Sequence, residues 1–107
     1  MTDEPTNARK SFGDIAPKLA EITDKVLFGD VWADPSLSPR DRSLVTITNL
    51  VALYRHNELG FHLKRGIENG LTKDEIVSAI THTAFYAGWP TAMTAIQTAR
   101  EALKDVP

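Results

Sequence analysis

The stretch "ENGLTKDEIVSAITHTAFYAGWP", Glu68 to Pro90, restricts the fold of this chain more than any other. It holds a helix end, a helix start, a helical period and a second helix end. Gly70 after Asn69 suits the left-handed residue that closes a helix. Thr72 with Glu75 three residues later is a capping box, in which side chains satisfy the exposed donors of the first turn. Ile76, Val77, Ile80, Ala84 and Ala87 then recur at helical spacing and define a core face. "GWP" stops the run, because glycine and proline both interrupt a helix. At about 100° per residue, Ala79, His82, Phe85 and Tyr86 fall on the other side.

The same punctuation organises the rest of the chain. A first helix is expected from about Ile15 to Phe28, with Asp14 as its cap and Pro17 tolerated in the first turn. Its apolar positions Ile15, Ala16, Leu19, Ile22, Val26 and Leu27 follow the helical period. "GDVWADPSLSPRD" then connects, with Trp32 reading as buried. A second helix spans about Pro39 to Arg55, capped by Ser38 with Pro39 at its first position. Its "LVTITNLVALY" is rich in β-branched residues but too long for one strand. Asn57 is expected to cap a third helix that ends at Gly70, with Leu59, Leu63, Gly66 and Ile67 on one face and Phe61 nearly opposite. A fifth runs from Pro90 to Lys104, with Ala92, Met93, Ile96, Ala99 and Leu103 on one side. Nothing alternates with period two. The expected fold class is all-α, one domain over residues 14–107 behind a polar arm of residues 1–13.

The second, semi-apolar faces of the third and fourth helices suggest a subunit interface, unless the first helix or the arm covers them. Cysteine is absent, which removes disulfides, zinc–thiolate sites, iron–sulfur clusters and thiol nucleophiles. Net charge is −2, from 12 basic and 14 acidic residues, and no run of Lys or Arg exceeds two. A nucleic-acid face or a polybasic membrane patch is therefore not expected. No apolar run approaches a membrane span, and "MTDEPTNARK" lacks a signal-peptide core, so the expected location is cytoplasmic.

The chemistry concentrates in "YRHNELGFHLKRG", Tyr54 to Gly66. Glu58 and His62 are four apart and share a strip of the third helix. A carboxylate beside an imidazole fixes its tautomer, raises its basicity and supplies an acid–base pair near neutral pH. The same spacing also describes an ordinary surface ion pair. His56 falls before the expected cap, so "HNELGFH" is not the pattern that sets two histidines one turn apart on a metal. No metal or cofactor is expected. Arg42 offers a guanidinium to a carboxylate, or merely a charge in a first helical turn. His82 reads as lining an interface or a cavity.

The segments "LFGDVWADPSLSPRDRSLVTITNLVAL" and "NELGFHLKRGIENGLTKDEIVSAITHTAFYAGWPTAMTAIQTA" resemble the carboxymuconolactone decarboxylase family, which shares the AhpD-like fold. The resemblance covers about Pro17 to Leu103, and "RSLVTI", "NEL", "HLKR", "ENG" and "YAGWP" are its most specific parts. It implies an all-helical protomer of about five helices in antiparallel pairs. Such protomers assemble into ring-like homotrimers or homohexamers with sites near subunit interfaces. The family's alkylhydroperoxidase branch carries Cys-x-x-Cys before the histidine that matches His62. Arg55 and Glu58 stand at those positions here, so thiol peroxidase chemistry is excluded.

The decarboxylase branch carries residues matching Glu58 and His62, preceded by Arg-Ser matching Arg42 and Ser43. It converts 4-carboxymuconolactone to the oxoadipate enol-lactone with loss of carbon dioxide and no cofactor. The resemblance therefore implies a cofactor-independent lyase acting on a small lactone or carboxylic acid. In that role His62 donates a proton or steadies an oxyanion, Glu58 orients and charges His62, and Arg42 and Ser43 bind substrate. Trp32, Tyr86 or Trp89 would build an apolar pocket that favours loss of the reacting carboxylate's charge, with His82, Tyr86 and Trp89 also expected to bind substrate. His82 replaces a glutamine common among dedicated decarboxylases, and Trp89 replaces a small aliphatic residue, which points to a different substrate. The alternatives are a non-catalytic oligomer that binds a small molecule on the same fold, and a metal-dependent enzyme.

Overall fold

The computed structural model describes residues 6–107, and every regular element among them is helical. The chain divides into two compact units, Met1–Ser36 and Leu37–Pro107, each described by itself.

In the first unit, α1 (Asn7–Phe12) is capped by Thr6, whose hydroxyl oxygen accepts from the Arg9 N–H at 3.1 Å. The expected polar arm thus contains a helix, and its first five residues lie outside the described ones. Thr6 also donates to the Asp24 carboxylate at 2.8 Å. The helix expected from Ile15 under an Asp14 cap instead begins at Pro17. Here α2 (Pro17–Ile22) opens without a side-chain cap, started by the fixed φ of proline, and runs into a π-helical segment, Thr23–Val31. The wide turns are visible in the Trp32 N–H, which donates to the Leu27 carbonyl five residues back at 2.8 Å. They also explain Gly29, where a Cβ would stand 2.9 Å from the Asp24 carbonyl oxygen. Trp32 is half-buried, its ring 6.0 Å from that of Phe28. Ala8 and Ala20 are buried, whereas Ile15, Leu19, Ile22 and Val26 are exposed.

The second unit contains α3 (Pro39–Ala52), α4 (His56–Glu68), α5 (Lys73–Ala87) and α6 (Trp89–Ala102). Among the described residues, six α-helices and one π-helical segment thus replace the expected five helices. Ser38 caps α3 as anticipated, accepting from the Asp41 N–H at 3.1 Å. That helix ends three residues short of Arg55, because Tyr54 takes a left-handed φ of 59°. The Tyr54 N–H then reaches Val51 O at 3.1 Å and the Arg55 N–H reaches Leu50 O at 2.8 Å, closing the helix as a Schellman motif.

The chain restarts at once. Arg55, not Asn57, is the cap position of α4, and His56 is its first helical residue rather than a residue before the cap. Gly70, with φ 110°, closes α4 by the same pair of bonds, Gly70 N–H to Ile67 O and Leu71 N–H to Gly66 O. The Thr72–Glu75 capping box opens α5 with both of its bonds formed.

α4 packs on α3 and α6, and α5 also packs on α3 and α6. The core between them gathers Ile47, Val51, Leu59, Leu63, Leu71, Ile76, Ile80 and Leu103. The contact face of α6 is alanine (Ala92, Ala95, Ala99), whose small side chains let neighbouring helices approach closely. Val77 and Met93, expected inside, are 38% and 59% exposed. Each follows a buried residue, Ile76 or Ala92, and a rotation of about 100° carries it off the contact face. No described helix is long and apolar enough to cross a membrane.

Candidate active site

The tight junction at Tyr54 decides which residues α4 presents to its neighbours. Starting the helix at His56 turns Leu59, Leu63 and Gly66 into the core and leaves Arg55, Glu58, His62 and Arg65 along one edge. His56 points elsewhere: it is exposed, with its ring 5.0 Å from that of Tyr54.

Glu58 lies in the first turn of α4, where the helix dipole favours a carboxylate. Its Oε1 accepts from the Arg55 guanidinium, and this bond above all holds its pKa below the ordinary carboxylate range. Its Oε2 is buried and accepts no hydrogen bond. His62 is half-buried, with Phe61 edge-on to its ring at 5.1 Å. Burial first, and the Arg65 charge second, push the His62 pKa below its ordinary value. The sequence suggested an imidazole made more basic by Glu58. In the structure Arg55 engages that carboxylate, and the charge that acts on His62 is a cation. At neutral pH His62 is therefore a neutral imidazole.

The other expected site residues are dispersed. Ser43 is fully buried, and its hydroxyl oxygen accepts from the Asn69 side-chain amide at 2.9 Å. It fastens the start of α3 to the end of α4 and lies in the interior. Arg42, next to it, is half-buried. The pairing of Ser43 with Asn69 fixes the level of α3 against α4. Asn69 lies seven residues past His62, about 10 Å along the helix.

His82 and Tyr86 stand on the exposed side of α5 with rings 5.0 Å apart. Trp89 begins α6 and meets the edge of Phe85 at 5.6 Å. Trp89 also borders a groove of about 190 Å³ between α5 and α6, with Ile80, Ala84, Met93 and Ile96 among its walls. Among the described residues, no three His, Asp or Glu side chains gather closely enough to hold a metal ion.

Two residues of this strip escaped the sequence reading. Arg55 was noted only as standing at a cysteine position, and Arg65 appeared only within "HLKR". The signal for both was present: Arg55, Glu58, His62 and Arg65 are spaced three, four and three apart, the spacing of one helical strip.

Comparison with known proteins matches residues 17–101 to the carboxymuconolactone decarboxylase family. A 4-carboxymuconolactone decarboxylase of Acinetobacter baylyi is 38% identical over 97 residues, covering 91% of this chain and 72% of that protein. A nitrosuccinic acid decarboxylase of Metarhizium robertsii is 33% identical over 86 residues, covering 80% of this chain and 60% of that protein.

Proposed function

The chain belongs to the carboxymuconolactone decarboxylase family, and from that premise we propose that it is a decarboxylase acting without a cofactor on a small lactone or carboxylic acid. The observation that carries this reading is the α4 strip, a half-buried neutral imidazole between a carboxylate held by its own arginine and a second arginine. The relatives are named for two different acids, 4-carboxymuconolactone and nitrosuccinic acid, which supports the reaction type rather than one substrate.

In such a reaction the carbon–carbon bond to the leaving carboxylate breaks and its electron pair moves into an adjacent electron-withdrawing group. Carbon dioxide departs and a proton from solvent takes its place on carbon. The negative charge that builds on the accepting oxygen needs a donor already in position. A neutral imidazole N–H is such a donor, and its partial withdrawal from water strengthens the interaction. His62 fills that role in this reading. Glu58, fixed by Arg55, shapes the field around the ring without adding a proton to it. The protein acts as a homotrimer or homohexamer. The exposure of Phe85 (74%), Tyr86 (81%) and Trp89 (58%) supports assembly, because a monomer leaves this aromatic cluster in water.

The test is a spectrophotometric screen of lactone and muconate-derived acids with wild-type protein and His62→Ala. Turnover by the wild type and its loss in His62→Ala, at unchanged assembled mass by light scattering, is the expected result. Retained activity in His62→Ala sinks the mechanism, and an 11.8 kDa wild-type species sinks the assembly.

A further inference from the structure

We propose that Arg55 is a positioning residue of the α4 strip: by holding the Glu58 carboxylate, it keeps Glu58 from pairing with His62 one turn further along the helix. What this does for catalysis rests on the decarboxylase reading above, whereas the hold itself does not.

Glu58 has two possible partners on its own strip. Arg55 precedes it by three residues and His62 follows it by four, and both spacings bring side chains together. Oε1 of Glu58 accepts from Arg55, and Oε2 is withdrawn from water, so one oxygen is bonded and the other is tucked against the protein. The junction at Tyr54 makes this arrangement possible. Because α3 closes there and α4 starts at His56, Arg55 takes the cap position, beside the first turn in which Glu58 lies. The charges that act on Glu58 are Arg55 first and His56 last, and the charge that acts on His62 is Arg65. The helices packed on α4 carry Arg40, Asp41 and Arg42 on α3, and Arg100 and Glu101 on α6. None of these five contributes to the shift at either group.

Keeping the carboxylate off the ring serves the reaction in two ways. An imidazole paired with Glu58 takes up a proton more readily. The resulting imidazolium attracts the reacting carboxylate before its charge has moved, which stabilises the ground state rather than the transition state. A carboxylate turned to the ring also repels an anionic substrate, whereas the Arg55 charge offsets it where it stands.

The experiment is a cycle of four proteins: wild type, Arg55→Gln, Glu58→Gln and the double variant. Each full chain is titrated with acid and followed through the His62 ring resonances, with no substrate present. Arg55→Gln frees Glu58 and is expected to make His62 bind its proton about twofold more tightly, the strength of one pair at this spacing. Glu58→Gln alone is expected to leave the titration where it stands, and the double variant to return to it. Should Arg55→Gln not fold, Glu58→Gln decides by itself: a titration that it moves to lower pH means that Glu58 already pairs with His62, and overturns the proposal. An unmoved titration in Arg55→Gln overturns it too. So does an equal rise in Arg55→Gln and in the double variant, since Arg55 then acts on the ring directly. No turnover is read, so each of these outcomes is independent of whether the protein is a decarboxylase.

Discussion

Gly66 offers the sharpest test of how α4 is held against α3, because two opposing effects meet at one atom. Glycine inside a helix is disfavoured against alanine by about 0.5–1 kcal/mol, so Gly66→Ala in a loosely packed helix is stabilising. Here a Cβ would stand 3.0 Å from Ile47 Cδ1 and 3.0 Å from Leu71 Cδ1, with Ile76 Cδ1 at 3.8 Å behind them. Carbon atoms settle at about 3.5–4.0 Å, so both methyl groups must retreat by roughly half an ångström or more. Neither has room to do so, since Ile47 is 0% exposed and Leu71 3%. Overpacking of this kind costs about 1–3 kcal/mol. The clash wins, and Gly66→Ala is expected to destabilise by about 1–2 kcal/mol, net of the helix gain. Ile47→Val removes one of the two offending methyls. Alone it costs about 1 kcal/mol, but in the Gly66→Ala background its cost falls to near zero, a coupling of about 1 kcal/mol. Urea unfolding of all four proteins, at one protein concentration, measures the cycle. A Gly66→Ala protein as stable as wild type, or strictly additive substitutions, would refute the packing described for this junction.

Ser43→Ala removes a buried acceptor from the Asn69 amide and is expected to cost about 1 kcal/mol of stability while leaving kcat/KM unchanged. A large fall in kcat/KM at unchanged stability would restore Ser43 as a substrate-binding residue. The His62 pKa is lowered in the folded protein, by burial first and by Arg65 second, so the unfolded chain takes up this proton more readily. The resulting contribution to stability is complete above the unfolded value of about 6.5 and is lost as pH falls through the lowered folded value. His62→Gln is therefore expected to flatten the fall in stability below about pH 6.5, and a profile that superimposes on the wild type disproves the shift.

Helix starts marked by side chains were legible in the sequence, because a cap is a local interaction. Ser38 and the Thr72–Glu75 box open α3 and α5 as read, and Gly70 closes α4 where a left-handed residue is needed. Boundaries without such markers were not. Tyr54 adopts the left-handed conformation that glycine usually supplies, at a cost of roughly 1–2 kcal/mol, so nothing in its type announced the end of α3. The π-helical turns at Thr23–Val31 were hidden for a related reason, since their apolar spacing also fits an α-helix over a short run. Val77 and Met93 show the limit of periodicity itself. It places a residue within one side of a helix, but the width of the buried face depends on which helices pack there.

The α4 strip shows how a residue picked out by spacing can be given the wrong electrostatics. His62 and Glu58 were legible by spacing, and spacing alone pairs them. A carboxylate has a choice of partners, and on α4 Arg55 competes for Glu58 from three residues before it. Guanidinium wins that competition because it is always charged and binds through fixed, directed donors, whereas the imidazole would first have to take up a proton against the cost of its own burial. With Glu58 engaged, the nearest charge of consequence to His62 becomes Arg65, and the sign of its effect reverses. An imidazole held neutral between two arginines is poorly suited to deliver a proton from a resting charged state. It is well suited to donate a hydrogen bond to an oxygen on which charge is building.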